Sequence, residues 1–229
     1  MHIIIYSRIS SKRLKNKALI RLSNKKKLIE QVIDQAKLLT PSSKIILATT
    51  KNKEDFHLCR IAKYNKINYI RGSSNNLISR TIECCKKFKI EFFLRYCADR
   101  PIINVKKIKN CIKRIKKKKL KFDLLTTNYN NQKIDKGFTI EIFNASSFKK
   151  ILEYSLTKSD KEHISNFFYK NKKMFDIKKI NFSKSFKKGY KYSIDNIQDL
   201  SKMNFILKNY NPNNINSVIR LSRKYEKLN

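Results

Sequence analysis

Four short apolar runs, "HIIIYS", "SKIILATT", "INYIRG" and "EFFLRYCA", alternate with four amphipathic segments, "KKLIEQVIDQAKLL", "KEDFHLCRIAKY", "NNLISRTIECCKKF" and "NVKKIKNCIKRIKKKK". The runs are apolar on consecutive residues, the pattern of strands covered on both faces. In the segments between them apolar residues recur at helical spacing: Leu28, Val32, Ala36 and Leu39 form one stripe, and Val105, Ile108, Ile112 and Ile115 another. Strand, helix, strand in repetition builds a largely parallel sheet with helices on both faces, an α/β fold. Such sheets bind ligands beyond the carboxyl ends of their strands, so function is expected in the loops that follow the apolar runs.

After "FDLLTT" and "FTIEIF", two further candidate strands, the order loosens into helices around 148–154 and 162–169, a strand near "YKYSI" and terminal helices. With 229 residues, 41% of them hydrophobic, and neither a repeat nor a linker, the chain is expected to bury one core. We expect one domain over residues 1–210, with 211–229 as a C-terminal helical extension of it. The five cysteines are odd in number, lack CxxC spacing and lie in apolar patterns, which fits a reducing compartment and packing roles. No stretch approaches the roughly 20 apolar residues of a membrane span, and "HIIIY" is too short for a signal h-region. A cytoplasmic protein without membrane partners is the expectation.

A net charge of +37 would ordinarily point to nucleic acid or an anionic surface. Here codon usage explains it as well. Lys, Asn, Ile, Phe and Tyr, with A/T-rich codons, crowd the sequence, whereas only three Gly, three Pro and no Trp occur. Of the 54 basic residues eleven are Arg, and a chain drifting toward Lys should keep Arg where a planar bidentate fork is needed. Arg8, Arg13, Arg71, Arg80, Arg95 and Arg100 all fall beside predicted strand ends or in the helix between them. Gly72 and Gly137 mark positions where the backbone needs positive φ or a close ligand approach. The Lys116 to Lys119 run, without interleaved aromatics or glycine, reads as a solvated helix end.

The loop Ser7 to Lys17 follows the first strand and so lies at the binding edge. Its Ser10, Ser11, Arg13 and Lys17 offer hydroxyl donors and fixed positive charge for a polyphosphate. No GxxxxGK[ST] pattern is present, so it is no Walker loop, and a solvated basic turn is the alternative. Asp99 and Asp195 each follow a predicted strand, the placement a shared cation requires. Either could instead cap the segment after it. Arg80 reads equally well as a surface helix residue, and His163, a single histidine, as structural.

The same stretches resemble the sugar-acid cytidylyltransferases, most closely their spore-coat-polysaccharide and flagellin-glycan branch. "YSRISSKRLKNKAL" resembles the family's "QARxGSxRLPGK" loop, with Arg8, Ser11, Arg13, Leu14 and Lys17 in register. "ILATTKNKED" is similar to the segment after the second strand. "YIRGSSNNLISR" resembles "FRGSxxDVLxR", carrying Arg71, Gly72, Ser73, Leu77 and Arg80, and "LRYCADRPII" resembles "VRxTGDxPLI", carrying Arg95, Asp99 and Pro101. "GFTIEIF", "KEHISNFFYKN" and "YSIDNIQDL" resemble "GLDxExF", "REHVTxYIY" and "LTVDxPEDL", so seven motifs follow in order over residues 2 to about 205.

This resemblance implies a Rossmann-like, GT-A-like nucleotidyltransferase fold with a mixed, mainly parallel sheet. It implies transfer of CMP from CTP to an acidic sugar, with release of pyrophosphate, for surface glycans. By the same resemblance Arg8, Lys17 and Asp99 are catalytic, and Arg8, Ser10, Ser11, Arg13, Lys17, Arg71, Ser73 and Arg80 hold the nucleotide. Arg95, Glu141 and His163 face the acceptor, and Asp99 and Asp195 hold Mg²⁺. Partners are CTP and the sugar, with no specific nucleic acid; a homodimer is left open. The chain departs from the pattern at Ser10 and Asn16, where the family has Gly, at Lys15 for Pro, in "CAD" for "TGD", and at Thr139 for an acid. The competing readings are a related enzyme using another nucleotide or sugar, and a polyanion-binding protein.

Overall fold

A computed structural model describes residues 1–11, 13–129, 134–181, 189–211 and 214–228. The four apolar runs form β1 (His2–Tyr6), β2 (Ile45–Thr50), β3 (Asn68–Gly72) and β4 (Phe92–Cys97). Between them lie α1 (Leu28–Lys37), α2 (Phe56–Tyr64) and α3 (Leu77–Lys87), and α4 (Val105–Lys118) follows β4. β5 (Leu124–Thr126), β6 (Glu141–Asn144) and β7 (Ile177–Lys179) complete one seven-stranded sheet in the order β3-β2-β1-β4-β6-β5-β7. β6 pairs antiparallel with both β4 and β5, and the other pairings are parallel, so six strands present their carboxyl ends at one edge.

Side-chain alternation divides the interior into two layers. Ile3, Ile5, Ile45 and Leu47 point to one face, where α1, α2, α4, α8 (Ile197–Lys208) and α9 (Asn216–Leu228) cover them. Ile4, Tyr6, Ile46 and Phe93 point to the other, toward α3, α5 (Ser147–Ile151) and α7 (Asn166–Lys170). On that second face Phe143, Phe148, Phe168 and Phe175 pack as tilted and edge-on rings with centroids 4.4–5.6 Å apart. Such pairs add roughly 0.5–1.5 kcal/mol each beyond the area they bury. Val218, Ile219 and Leu221 of α9 belong to the first layer, so the terminal helix shares the domain's core.

Two elements differ from expectation. Among the described residues "YKYSI" makes no regular strand but an extended segment with an isolated bridge, Lys136 to Lys191. β7, unforeseen, is three residues at the sheet edge, only half-buried, and its lysines conceal the strand period. Among the described residues no helix is long and apolar enough to cross a membrane.

Candidate active site

In the order β3-β2-β1-β4 the chain leaves β1 in one direction and returns past it to β4, so the switch point lies between β1 and β4, where such sheets bind ligands. Both loops of the candidate site start there. Ser7 N donates to Ala48 O at 3.3 Å and Ala98 N to Tyr6 O at 3.1 Å, carrying the ladder one residue past each strand. The chain after Ser7 is then held by Ile9 N donating to Asp55 Oδ1 at 2.7 Å, and by the buried side chains of Ile9 and Ala18. Asn16 takes the left-handed conformation, φ 52°, and leads into a 3-10 turn, Lys17–Leu19. Asparagine enters this region more readily than most residues with a Cβ, which is how the loop turns without the family's glycine.

Asp195 arrives from the far end of the chain. Its segment is laid on the carboxyl edge by Tyr192 N donating to Lys136 O at 2.6 Å and Ile194 N donating to Asp99 O at 2.9 Å. Gly137, φ 106°, allows this approach, since a Cβ there would sit 2.8 Å from the Tyr192 carbonyl carbon. Asp199 then caps α8 and accepts from Asp195 N at 2.8 Å, fixing the backbone of the acidic residue.

The result is a cleft of 390 Å³ lined by Ser7, Arg8, Ser10, Ser11, Arg13, Lys17, Asp99 and Glu162. Lys17 Nζ stands 3.2 Å from Asp195 Oδ1, 3.6 Å from Asp99 Oδ2 and 2.8 Å from Ile194 O, so the two carboxylates converge on one ammonium. Arg13 Nη2 lies 2.9 Å from Asp195 Oδ1 and Lys191 Nζ 3.1 Å from Asp195 Oδ2. Burial alone would push the Asp195 carboxyl up; the Lys191 hydrogen bond and the Lys17 charge outweigh it and hold it below the usual carboxylate range. Among the described residues Asp99 Oδ1 is buried without a hydrogen-bond partner, with Arg100 Nε 4.0 Å away. The described residues contain no cluster of three or more His, Cys, Asp or Glu arranged for a metal. Two converging carboxylates, one with an unused oxygen, match a Mg²⁺ that takes its other ligands from phosphates and water. A larger cavity, 820 Å³, opens at the opposite end of the sheet beside Phe92, Ile112 and Phe122, but neither the loop nor the acidic pair reaches it.

Other predicted residues divide into those the fold brings to the cleft and those it does not. Arg95 and Glu141 meet in a half-buried to buried ion pair of 2.5 Å, and Tyr169 OH donates to the second Glu141 oxygen at 2.8 Å. Burial would push the Glu141 carboxyl up, yet the charge and hydrogen bond of Arg95 hold it down. Arg71 holds backbone carbonyls: Nε donates to Thr50 O at 3.1 Å, and Nη2 to Lys51 O at 2.6 Å and Asn52 O at 3.1 Å. Arg80, 3% exposed, donates from Nε and Nη2 to Ser73 O. Gly72 is required by that same side chain, since a Cβ there would lie 2.7 Å from Arg80 Cγ. Ser73 Oγ accepts from Asn75 N and Asn76 N, shaping the turn before α3. His163 is exposed and stands off the cleft lining, at the end of α6 (Lys158–Glu162). Its neighbour Glu162 lines the cleft instead, 3.6 Å from Arg8 Nη2. Glu162 and Tyr169 escaped the sequence reading although both lie within the "KEHISNFFYKN" motif. Lys191 gave no signal among so many lysines.

The sheet order, the basic loop after β1 and the carboxylates carried by β4 and the C-terminal segment define a Rossmann-like nucleotidyltransferase. More narrowly, the chain belongs to the cytidylyltransferase family, whose sequence profile matches residues 2–219. An uncharacterised protein of Methanocaldococcus jannaschii is 27% identical over 197 residues, covering 86% of this chain and 78% of the relative. A cytidylyltransferase structure from Leptospira borgpetersenii superposes with a TM-score of 0.89 at 22% identity, over 99% of this chain and 95% of the other. A CMP:2-keto-3-deoxy-manno-octonic acid synthetase complexed with CTP superposes with a TM-score of 0.65 at 13% identity, over 90% and 98%. The chain is thus an enzyme of nucleotidyl transfer, of a family that uses CTP.

Proposed function

We propose that the enzyme transfers CMP from CTP to an acidic sugar, in the spore-coat and flagellin-glycan branch of the family, and serves surface glycan synthesis in the cytoplasm. The observation that carries this reading is the convergence of Asp99 and Asp195 on Lys17 inside a cleft edged by Arg8 and Arg13. In the reaction a sugar hydroxyl oxygen forms a bond to the α-phosphorus, the bond from that phosphorus to the bridging oxygen breaks, pyrophosphate leaves with the electron pair, and the hydroxyl proton is released. Arg8, Arg13 and Lys17 take the charge of the triphosphate, with Ser10 and Ser11 as hydroxyl donors, so the work is mainly positioning and neutralisation. Arg13 and Lys17 now face carboxylates. Asp99 and Asp195 would hold Mg²⁺, which supplies further charge neutralisation at the phosphates when bound. Arg95, Glu141 and Tyr169 form the acceptor side, while Arg71, Ser73 and Arg80 shape the nucleotide side from beneath.

The test is a pyrophosphate-release screen of the four nucleoside triphosphates against a panel of acidic sugars with Mg²⁺. Release is expected with CTP and an acidic sugar. Release only with another nucleotide, or only with neutral sugar phosphates, overturns the reading.

A further inference from the structure

Asp55 is 0% exposed and, among the described residues, enters no ion pair. A carboxylate kept in the interior is expensive unless hydrogen bonds replace the water it has lost, and the charge of buried Arg80, which acts on Asp55 without pairing with it, offsets only part of that cost. Here they come from the loop after β1 and from the last residue of β2. Oδ1 accepts from Ile9 N, in the loop after β1, at 2.7 Å, while Oδ2 accepts from Thr50 N at 3.1 Å and from the Thr50 hydroxyl. From Thr50 the frame continues outward. The Thr50 hydroxyl oxygen accepts from Asn52 N at 3.2 Å, Asn52 Oδ1 accepts from Ser74 Oγ at 2.8 Å, and Arg71 grips the carbonyls of residues 50–52. The ends of β1, β2 and β3 are thereby tied together below the cleft.

The residues on either side of Ile9 are Arg8 and Ser10, both in the cleft lining, and Ser7, one step earlier, also contributes to that lining. A clamp on the Ile9 amide therefore sets the direction in which three ligand-facing residues emerge. We infer that Asp55 is a positioning residue for the nucleotide: its carboxylate locks the triphosphate-binding loop to the end of β2. The inference rests on the proposed nucleotide reading of the cleft and adds a residue that touches no substrate.

An amide in place of the carboxylate is nearly isosteric but can accept at only one of its two ends, so Asp55→Asn must release either Ile9 N or Thr50 N. Thr50→Val removes the two contacts of the hydroxyl, to Asp55 and from Asn52 N, and leaves Ile9 held, which makes it the control for a purely structural role. Both variants should melt below the wild type without ligand. Only Asp55→Asn should raise the KM for CTP, by roughly tenfold or more with a much smaller change in kcat, and shrink the rise in melting temperature that Mg²⁺ and CTP give. Equal KM values and equal ligand-induced shifts in both variants would overturn the inference. A wild type that shows no shift with any nucleoside triphosphate would instead overturn the functional reading beneath it. If Asp55→Asn does not fold, amide exchange in the ligand-free wild type decides. Ile9 should exchange as slowly as the amides of β1, and an Ile9 amide exchanging like an open loop removes the clamp.

Discussion

Asp99 and Asp195 converge on one ammonium, but their surroundings differ enough to separate their roles by mutation. Asp99 is the more exposed, its nearest cations standing 3.6 and 4.0 Å away. Pairs this loose contribute about 0–1 kcal/mol, so Asp99→Asn should leave the melting temperature of the unliganded enzyme nearly unchanged. Asp195 neutralises Arg13, Lys17 and Lys191 at once. Asp195→Asn removes the acid that three cations share, although Lys17 keeps Asp99, Lys191 keeps Asp199 and Arg13 keeps water, so it should lower the melting temperature more than Asp99→Asn does. Both should abolish Mg²⁺-dependent pyrophosphate release; a fully active Asp99→Asn enzyme would remove it from the metal site. These two acids were legible in the sequence because each ends an apolar run at the binding edge. Arg71 and Arg80 were equally visible, yet nothing in a sequence distinguishes a guanidinium that grips a phosphate from one that grips its own backbone carbonyls. Asp55 was illegible for a related reason: it stands as one more charged residue at the start of the amphipathic segment "KEDFHLCRIAKY", and its burial is decided by segments distant in the chain.

Three helices end alike, and the manner of their ending follows from a chain nearly without glycine. After α2, Lys66 N donates to Lys63 O and Ile67 N to Ala62 O; after α3, Lys89 N donates to Lys86 O and Ile90 N to Cys85 O; after α4, Lys119 N donates to Lys116 O and Leu120 N to Ile115 O. This is the Schellman arrangement, with an apolar residue after the turn, and its pivot normally is glycine. Here the pivots are Lys66, Lys89 and Lys119, with φ of 56°, 49° and 44°. Replacing each by Gly should relieve left-handed strain in excess of the backbone entropy Gly adds, for a gain of roughly 0.5–1 kcal/mol per site. Denaturant midpoints that fall or stay fixed in all three variants would refute this. Helix interiors were plain from their apolar stripes; their ends were masked because the expected punctuation had been replaced by lysine. The same substitution of lysine for distinctive residues hid β7, whereas "YKYSI" looked like a strand because an extended segment bridging two loops carries the same alternation as one within a sheet.

For the molecule as a whole, a net charge of +37 makes acid more damaging than base. Asp195 and Glu141 are held below their ordinary values, so the stability they contribute is complete above the unfolded carboxyl range, near pH 4, and is lost as pH falls through their folded values. Protonating carboxylates also adds to an already large positive charge, and both effects act in the same direction. Denaturant midpoints should therefore change little from pH 7 to about pH 5 and drop steeply from there to about pH 3, with added salt recovering only the repulsive part. A midpoint unchanged down to about pH 3 would contradict this. Finally, Ile194 N donates to Asp99 O, across nearly a hundred residues of sequence. On the ribosome, β1 to β4 and the basic loop can assemble well before residues 190–195 emerge, so the acidic pair is completed after the loop it faces. A nascent chain, or one nicked between β4 and residue 195, would own the basic loop but lack the second of the two acids that face it.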